Sequence, residues 1–487
     1  MAGPVATLRR RLSLALAALV LIAGVDVKVA EAAADLSGTW WISIYRSALM
    51  PTNGKPVPLT PAGHKRYLAY VADRQDGTVI DDTATFCLPD GVVRTAGSPF
   101  PFEIVHSGDQ IFILYEEDRT IRQVHLAKKR TPADEFNPAF MGESLGRWEG
   151  DTLVIETVGF KDRTILDDSG LPHGEGLKTV ERLRLLDGGK RLENVITIED
   201  PAYYAKPWEV RFTYLARPDV VIQEYVCGEA HRDVTAVVRG RQTDIPPPVG
   251  LPPLQSPVKL ANWTSPNPRM ARIWGRAPWR SPKQKPGDLG RNDGNGAIPA
   301  ITEGWDERDQ MLKPKPLNLM KAYDAGISAG TPPPTSSSAC DLDGFPAIVG
   351  LPNQWQMLHT PDMVYFLYGY NSHVRRVHMN REHPKDVKPS WLGASTGRWE
   401  GDTLVIYTDG LTDKSTLSWD GIPHSTQARI TERYELLPDG RLRLEMLIED
   451  PAVLKGPWNV VKHFVGVEGL DETLCSEDNG DGGAPTE

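Results

Sequence analysis

Residues Gly146–Ile155 read GRWEGDTLVI, and residues Gly397–Ile406 read GRWEGDTLVI again. Ten identical residues, 251 positions apart, mark a duplication, and the match runs outward in both directions. Upstream, Leu59 and Pro61 pair with Leu312 and Pro314, Tyr70 with Tyr323, and Cys87 with Cys340. His106 pairs with His359, Arg122 with Arg375, and His125 with His378. Downstream, Gly170, Pro172 and His173 pair with Gly421, Pro423 and His424, and Glu181-Arg182 with Glu432-Arg433. Glu199-Asp200-Pro201 pairs with Glu449-Asp450-Pro451, Pro207-Trp208 with Pro457-Trp458, and Cys227 with Cys475. The offset drifts only from 253 to 248, so a whole domain is repeated rather than a short solenoid unit.

The periodicity inside each copy is that of strands. Gln110–Tyr115 and Thr152–Thr157 are short apolar runs, and Arg191–Ile198 alternates with Leu192, Val195, Ile196 and Ile198 as its apolar members. Gly, Asp and Pro separate these runs every ten or so residues. Glu149-Gly150-Asp151 predicts a tight turn with Gly150 at positive φ. A helix is expected over Thr60–Asp73, with Thr60 as N-cap and Pro61 in the first turn. The fold class is therefore mainly all-β: two tandem antiparallel β-barrel domains with a few short helices.

Outside the repeats the chain changes character. Arg9, Arg10 and Arg11 precede an apolar run, Leu12–Val25, broken only by Ser13, and Ala-x-Ala sites end at Ala32 or Ala34. That is the pattern of a signal peptide over residues 1–34, and the run is short for a membrane anchor. A periplasmic or secreted location follows. The expected order is repeat 1 over 35–245, a Pro-rich linker over 246–310, repeat 2 over 311–478 and an acidic tail over 479–487. Four hundred and eighty-seven residues with a net charge of −10 exclude a single core and argue against a nucleic-acid partner. No segment after the signal is apolar enough to span a membrane.

The mature chain opens Leu36-Ser37-Gly38-Thr39-Trp40, a Gly-x-Trp pattern found at the start of lipocalin barrels; the second copy has no clear counterpart, although Trp263 and Trp274 lie upstream. Together with Arg-Trp-Glu-Gly-Asp-Thr-Leu-Val, Pro-His and Glu-Asp-Pro, it resembles a family of secreted, lipocalin-like proteins of proteobacteria over nearly the whole mature chain. The resemblance implies a barrel with an internal cavity and carries no activity with it.

Four cysteines fall two per copy at matched places. In an oxidising compartment, one disulfide is expected in each copy, Cys87 with Cys227 and Cys340 with Cys475. A metal site would need denser clustering, and CxxC and HExxH are absent, so no metal is expected. GxSxG, GxGxxG and Walker motifs are absent as well, so no cofactor is expected.

Polar residues repeated at matched positions need a reason, either a buried hydrogen bond or a shared site. By two-residue alternation, Arg122 and Val124 face one way and Gln123 and His125 the other, so an Arg and a His do not share a face. One face lines the lumen. His173 and His424 lie in Gly-x-Pro-His turns, where loop residues at a barrel mouth contact ligands. Glu181 and Arg182, like Glu432 and Arg433, point opposite ways. The copies also differ. Arg130 aligns with His383, so the second copy gathers His378, His383 and His424 with Arg375 and Arg376. The candidate proton-transfer residues are therefore His378, His424, His383, His125 and His173. The candidate substrate-binding residues are Arg375, Arg376, Arg122, Glu432, Arg433, Glu181 and Arg182.

Two functions are compatible with this pattern. One is a cofactor-independent acid/base enzyme of the lyase, hydratase or isomerase type, acting on a small apolar or aromatic compound in a barrel cavity. The other is a binding protein with the same cavity and no turnover. Convergence of His and Arg on one point would favour the first, and His125 and His378 facing outward the second.

Overall fold

The computed structural model describes residues 34–76, 83, 88–132, 135, 137–225, 264–277, 302–303, 308–331, 342–351, 353–418, 421–470 and 473–474. The four cysteines, the pairing expected of them and the leader lie outside these residues.

The first copy runs β1 (Gly38–Ile42), α1 (Pro61–Gln75), α2 (Val92–Ala96), β2 (Phe102–Ser107), β3 (Gln110–Tyr115), β4 (Ile121–His125), β5 (Glu143–Glu149), β6 (Thr152–Val158), β7 (Lys178–Leu186), β8 (Arg191–Glu199) and β9 (Trp208–Ala216). These strands pair in chain order, and β1 returns to β9, which closes the barrel.

The second copy begins with β10 (Ile273–Arg276), β11 (Thr302–Glu303), α3 (Arg308–Met311) and α4 (Pro314–Ser328). It continues with β12 (Trp355–His359), β13 (Met363–Tyr368), β14 (Val374–Met379), β15 (Ala394–Glu400), β16 (Thr403–Asp409), β17 (Arg429–Leu436), β18 (Leu442–Glu449) and β19 (Trp458–Gly466). β10 bridges β12 and β19 to close the ring, and β11 adds to the same edge of β19.

Two features refine the expected architecture. Each barrel holds one parallel pairing, β4 with β5 and β14 with β15. And β10 and β11 come from the stretch expected to be only a linker, so the second barrel starts well before residue 311. The counterpart of Trp40 is Trp274: each indole donates to the carbonyl four residues earlier, Leu36 at 3.0 Å and Met270 at 2.9 Å. Both rings are buried. The sequence hides this match because the second Trp lacks the preceding Gly-x and sits at a different distance from its repeat.

Local chemistry explains the elements. The Thr60 hydroxyl accepts from the Gly63 amide at 3.0 Å, capping α1 as expected. The repeated GRWEGDTLVI segment forms the β5–β6 and β15–β16 hairpins, with Gly150 and Gly401 at positive φ in their turns. Gly146 is required by packing: a β-carbon there would lie 2.8 Å from the Val124 side chain on the neighbouring strand. Alternate residues point inward. Ile155, Leu183, Leu192, Ile196 and Tyr214 fill the first barrel, and Ile406, Tyr434, Leu444, Met446 and Phe464 the second.

The outer faces of β2–β4 and β12–β14 pack on each other. Val105, Phe112 and Leu114 meet Leu358, Met363, Tyr365 and Leu367 in one apolar layer. Val105, Phe112 and Leu114 match Leu358, Tyr365 and Leu367 in the repeat, so the duplicated surface packs against its own copy, as in an isologous dimer. Its polar clasp is not symmetric: Glu103 accepts from the Tyr365 hydroxyl at 2.6 Å and from Arg376 at 3.0 Å.

Candidate ligand site at the seam between the barrels

Inside each barrel the matched Arg and Glu find one another. Arg122 pairs with Glu181, and its guanidinium also donates to Ser144 (3.1 Å) and Thr157 (2.9 Å). Arg375 pairs with Glu432, binds Ser395 (3.2 Å) and Thr408 (2.8 Å), and lies 3.7 Å over the Phe345 ring. All four side chains are about 1 % exposed or less. Burial disfavours each guanidinium cation, but the adjacent carboxylate more than offsets it and raises both Arg pKa values. The lumen face is therefore the Arg122 face. Arg122, Glu181, Arg375 and Glu432, expected to bind substrate, instead complete one another, because a charge in a packed interior is tolerated only with its partner. Arg182 and Arg433 point outward and hold Glu149 and Glu400 of the hairpins at 2.8 and 2.9 Å, as alternation requires.

The Pro-His histidines do not line a barrel mouth. His173 and His424 are each 5 % exposed. Nδ1 faces the next residue's carbonyl, Gly174 at 3.2 Å and Ser425 at 3.1 Å. A carbonyl only accepts, so Nδ1 carries the proton and Nε2 accepts from Thr164 (2.5 Å) or Ser415 (2.8 Å). Burial lowers both pKa values. They latch the loop to Thr164 and Ser415, while Asp200 and Asp450 of the Glu-Asp-Pro turns hold it by accepting from the Gly174 and Ser425 amides.

His125 and His378 face outward, and each opens on a cavity at the seam. The first, about 1190 Å³, takes one wall from His125 and residues 137–144 and the other from residues 268–273 and 467–470. There Gln110 Nε2 lies 3.3 Å from His125 Nδ1, and burial, then Lys128, lowers the His125 pKa. The second, about 570 Å³, takes His378 and residues 387–396 from the second barrel and residues 221–224 from the first. This volume suits a small organic molecule.

The second cavity has the stronger chemical character. Burial, then Arg381 and Arg376, pushes the His378 pKa down to about 4, so the ring is neutral at pH 7. Its Nδ1 is buried and has no hydrogen-bond partner among the described residues. Arg119, Arg376, Arg381, Lys388 and Lys414 line the same space, against Glu116, Glu224 and Glu382. Glu224 is taken up by the Ser390 hydroxyl and the Trp391 and Leu392 amides at 2.7–3.1 Å. The balance at the wall is positive.

His383 stands behind this wall, bonded to the lining Thr396. Its Nε2 meets Asp409 Oδ1 at 2.7 Å and its Nδ1 meets Thr396 Oγ1 at 2.9 Å, while the Tyr407 ring stands edge-on at 4.8 Å. Thr396 lines the cavity and is the register partner of His378 on the parallel β14–β15 pair, so the two side chains share a face. The structure thus brings His378, His383 and Arg376 to one region and leaves His424, Arg375 and Glu432 in the interior, with Arg375 touching the cavity wall.

Sequence reasoning missed Thr396, Asp409 and Tyr407. A signal was present: their repeat counterparts are Leu145, Val158 and Glu156, so three positions changed along with Arg130→His383. Among the described residues no group of three or more His, Asp or Glu side chains is placed to hold a metal ion, and no helix is long and apolar enough to cross a membrane. No protein-family model matches the chain, and no curated protein matches it.

Proposed function

We propose that the protein, exported from the cytoplasm, binds a small organic carboxylate with an apolar or aromatic body in the seam cavity of the second copy. The observation that carries this is the neutral His378, whose buried Nδ1 has no hydrogen-bond partner among the described residues, in a cavity of net positive lining. A carboxylate brought there is attracted by the cations and raises the His378 pKa, so the imidazole takes up a proton and the pair becomes charge-assisted. The ligand sits outside the barrels, whose interiors are filled by side chains.

Titration with benzoate, followed by calorimetry and by His378 ring signals, tests this. Binding should strengthen as pH falls toward about 4 and release buffer-dependent heat from proton uptake. His378→Gln should weaken it about tenfold, ~1.4 kcal/mol. Equal affinity in the variant, or benzoate shifts confined to the first copy, would sink the reading.

The same Nδ1 also favours a second reading, proton transfer by a cofactor-independent lyase, hydratase or isomerase. Exchange of the benzylic protons of phenylpyruvate with D2O should then exceed the spontaneous rate and return to it in His378→Gln.

A further inference from the structure

We infer that Thr396, His383 and Asp409 form a hydroxyl-activating relay that hydrolyses small carboxylic esters in the second-copy seam cavity, with Thr396 as nucleophile. The inference rests on the carboxylate-binding reading above, since the acid released is the ligand proposed there.

Geometry supplies the relay. Asp409 can only accept, so His383 Nε2 carries its proton toward Oδ1 at 2.7 Å. Nδ1 is then left with a lone pair facing the Thr396 hydroxyl at 2.9 Å, within reach for general-base removal of that proton. The Tyr407 hydroxyl holds the other Asp409 oxygen at 3.3 Å, and its ring packs edge-on against the imidazole. The imidazole is thus oriented from one side by a carboxylate and offers its base to a hydroxyl on the other, the arrangement that activates hydroxyl nucleophiles. Thr396 lines the cavity, beside His378 and in the same space as Arg381, so an attacked carbonyl would meet donors for its developing negative charge.

The first copy argues against a purely structural role. There Arg130 holds the loop by donating to the Glu143 carbonyl at 2.7 Å and the Glu156 carbonyl at 3.0 Å, with no hydroxyl and no carboxylate at the positions of Thr396 and Asp409. Lys128 and Thr131 add bonds to the Glu143 carboxylate at 3.1 and 2.6 Å, so that loop is fastened with no imidazole. The second copy fastens it through His383 instead, and Thr396, bonded to that imidazole, lines a cavity.

The reaction balances with water as the only co-reactant. Thr396 Oγ1 bonds to the ester carbonyl carbon while His383 Nδ1 takes the hydroxyl proton. The bond from carbonyl carbon to alkoxy oxygen breaks, and His383 returns the proton to the departing alcohol. Water then attacks the acyl-threonine while His383 takes its proton, and the bond from acyl carbon to Thr396 Oγ1 breaks as His383 gives that proton to Oγ1, freeing the carboxylic acid and restoring the Thr396 hydroxyl.

The test uses p-nitrophenyl benzoate with the full chain, following nitrophenol release and the intact mass of the protein. Wild type should release nitrophenol with a benzoyl adduct mapping to Thr396. Thr396→Val, which keeps shape and removes the hydroxyl, should lose the adduct and at least about a hundredfold in rate. His383→Gln should lose a similar factor. Benzoate binding by the wild type is measured alongside, so that a failure of hydrolysis is told apart from a failure of the binding reading beneath it. Hydrolysis undiminished in Thr396→Val, or an adduct on any other residue, overturns the proposal, as does wild-type protein that binds benzoate and leaves the ester intact.

Discussion

The interiors of the two barrels are nearly the same object, whereas their outer seam faces are not. Arg122–Glu181 with Ser144 and Thr157 is reproduced by Arg375–Glu432 with Ser395 and Thr408. On the outside, Gln123 becomes Arg376, Arg130 becomes His383, and Leu145 becomes Thr396. A polar residue retained in both copies can therefore mean a buried partner, and here the sharper chemistry lies where the copies diverge. A buried ion pair tolerates no loss of either member, so duplication preserves it. An outer face has no such constraint and can acquire a new role.

The hardest blow to this comparison would come from the interior. Glu432→Ala leaves Arg375 charged and without its carboxylate in a packed lumen, and should cost about 3–5 kcal/mol in chemical denaturation. Glu181→Ala should cost as much in the first barrel. A change under about 1 kcal/mol in either would break the claim that both pairs hold their barrels.

Acid sharpens the contrast between copies. Burial pushes His359, His373 and His378 down to about 4, with Asp343 opposing it weakly at His373 and Arg381 and Arg376 reinforcing it at His378. The unfolded chain binds these protons first, below its ordinary value of about 6.5. Stability is therefore complete above about pH 6.5 and falls as pH drops toward 4, by about 3 kcal/mol for a fully buried histidine such as His373. The first copy has Thr120 at the matched place. Hydrogen exchange at pH 4.5 should thus open β14 before β4, and equal protection would remove the asymmetry.

A smaller effect separates latch from site. His424→Ala should lower stability by about 1–3 kcal/mol, because Ser415 loses its acceptor, without changing benzoate affinity. His378→Gln should do the reverse. Least of all, Arg433→Ala on the exposed hairpin should leave the denaturation midpoint unmoved within error.

Much of this was legible without coordinates. The repeated decapeptide, the strand alternation, the Thr60 cap and the Gly150 turn are set by neighbours in sequence, and each appears where local chemistry puts it. Alternation also separated Arg122 from His125 and Glu181 from Arg182. It could not say which face was inside, since both faces of those strands carry polar residues. Trp274 could not be singled out from Trp263, because its strand is only four residues long and stands far from its repeat in a Pro-rich stretch.

The sequence by itself determined two copies of one β-rich unit and the residues each would repeat. Only tertiary structure decided that Arg and Glu would neutralise one another in the lumen, and that residues 273–276 would close the second ring. Only it decided that Thr396, His383 and Asp409, spread over 27 positions, would meet beside His378. The reason is physical: strand order and side-chain alternation are local, whereas charge pairing, ring closure and a cavity between two packed barrels depend on segments that meet only after the chain has folded.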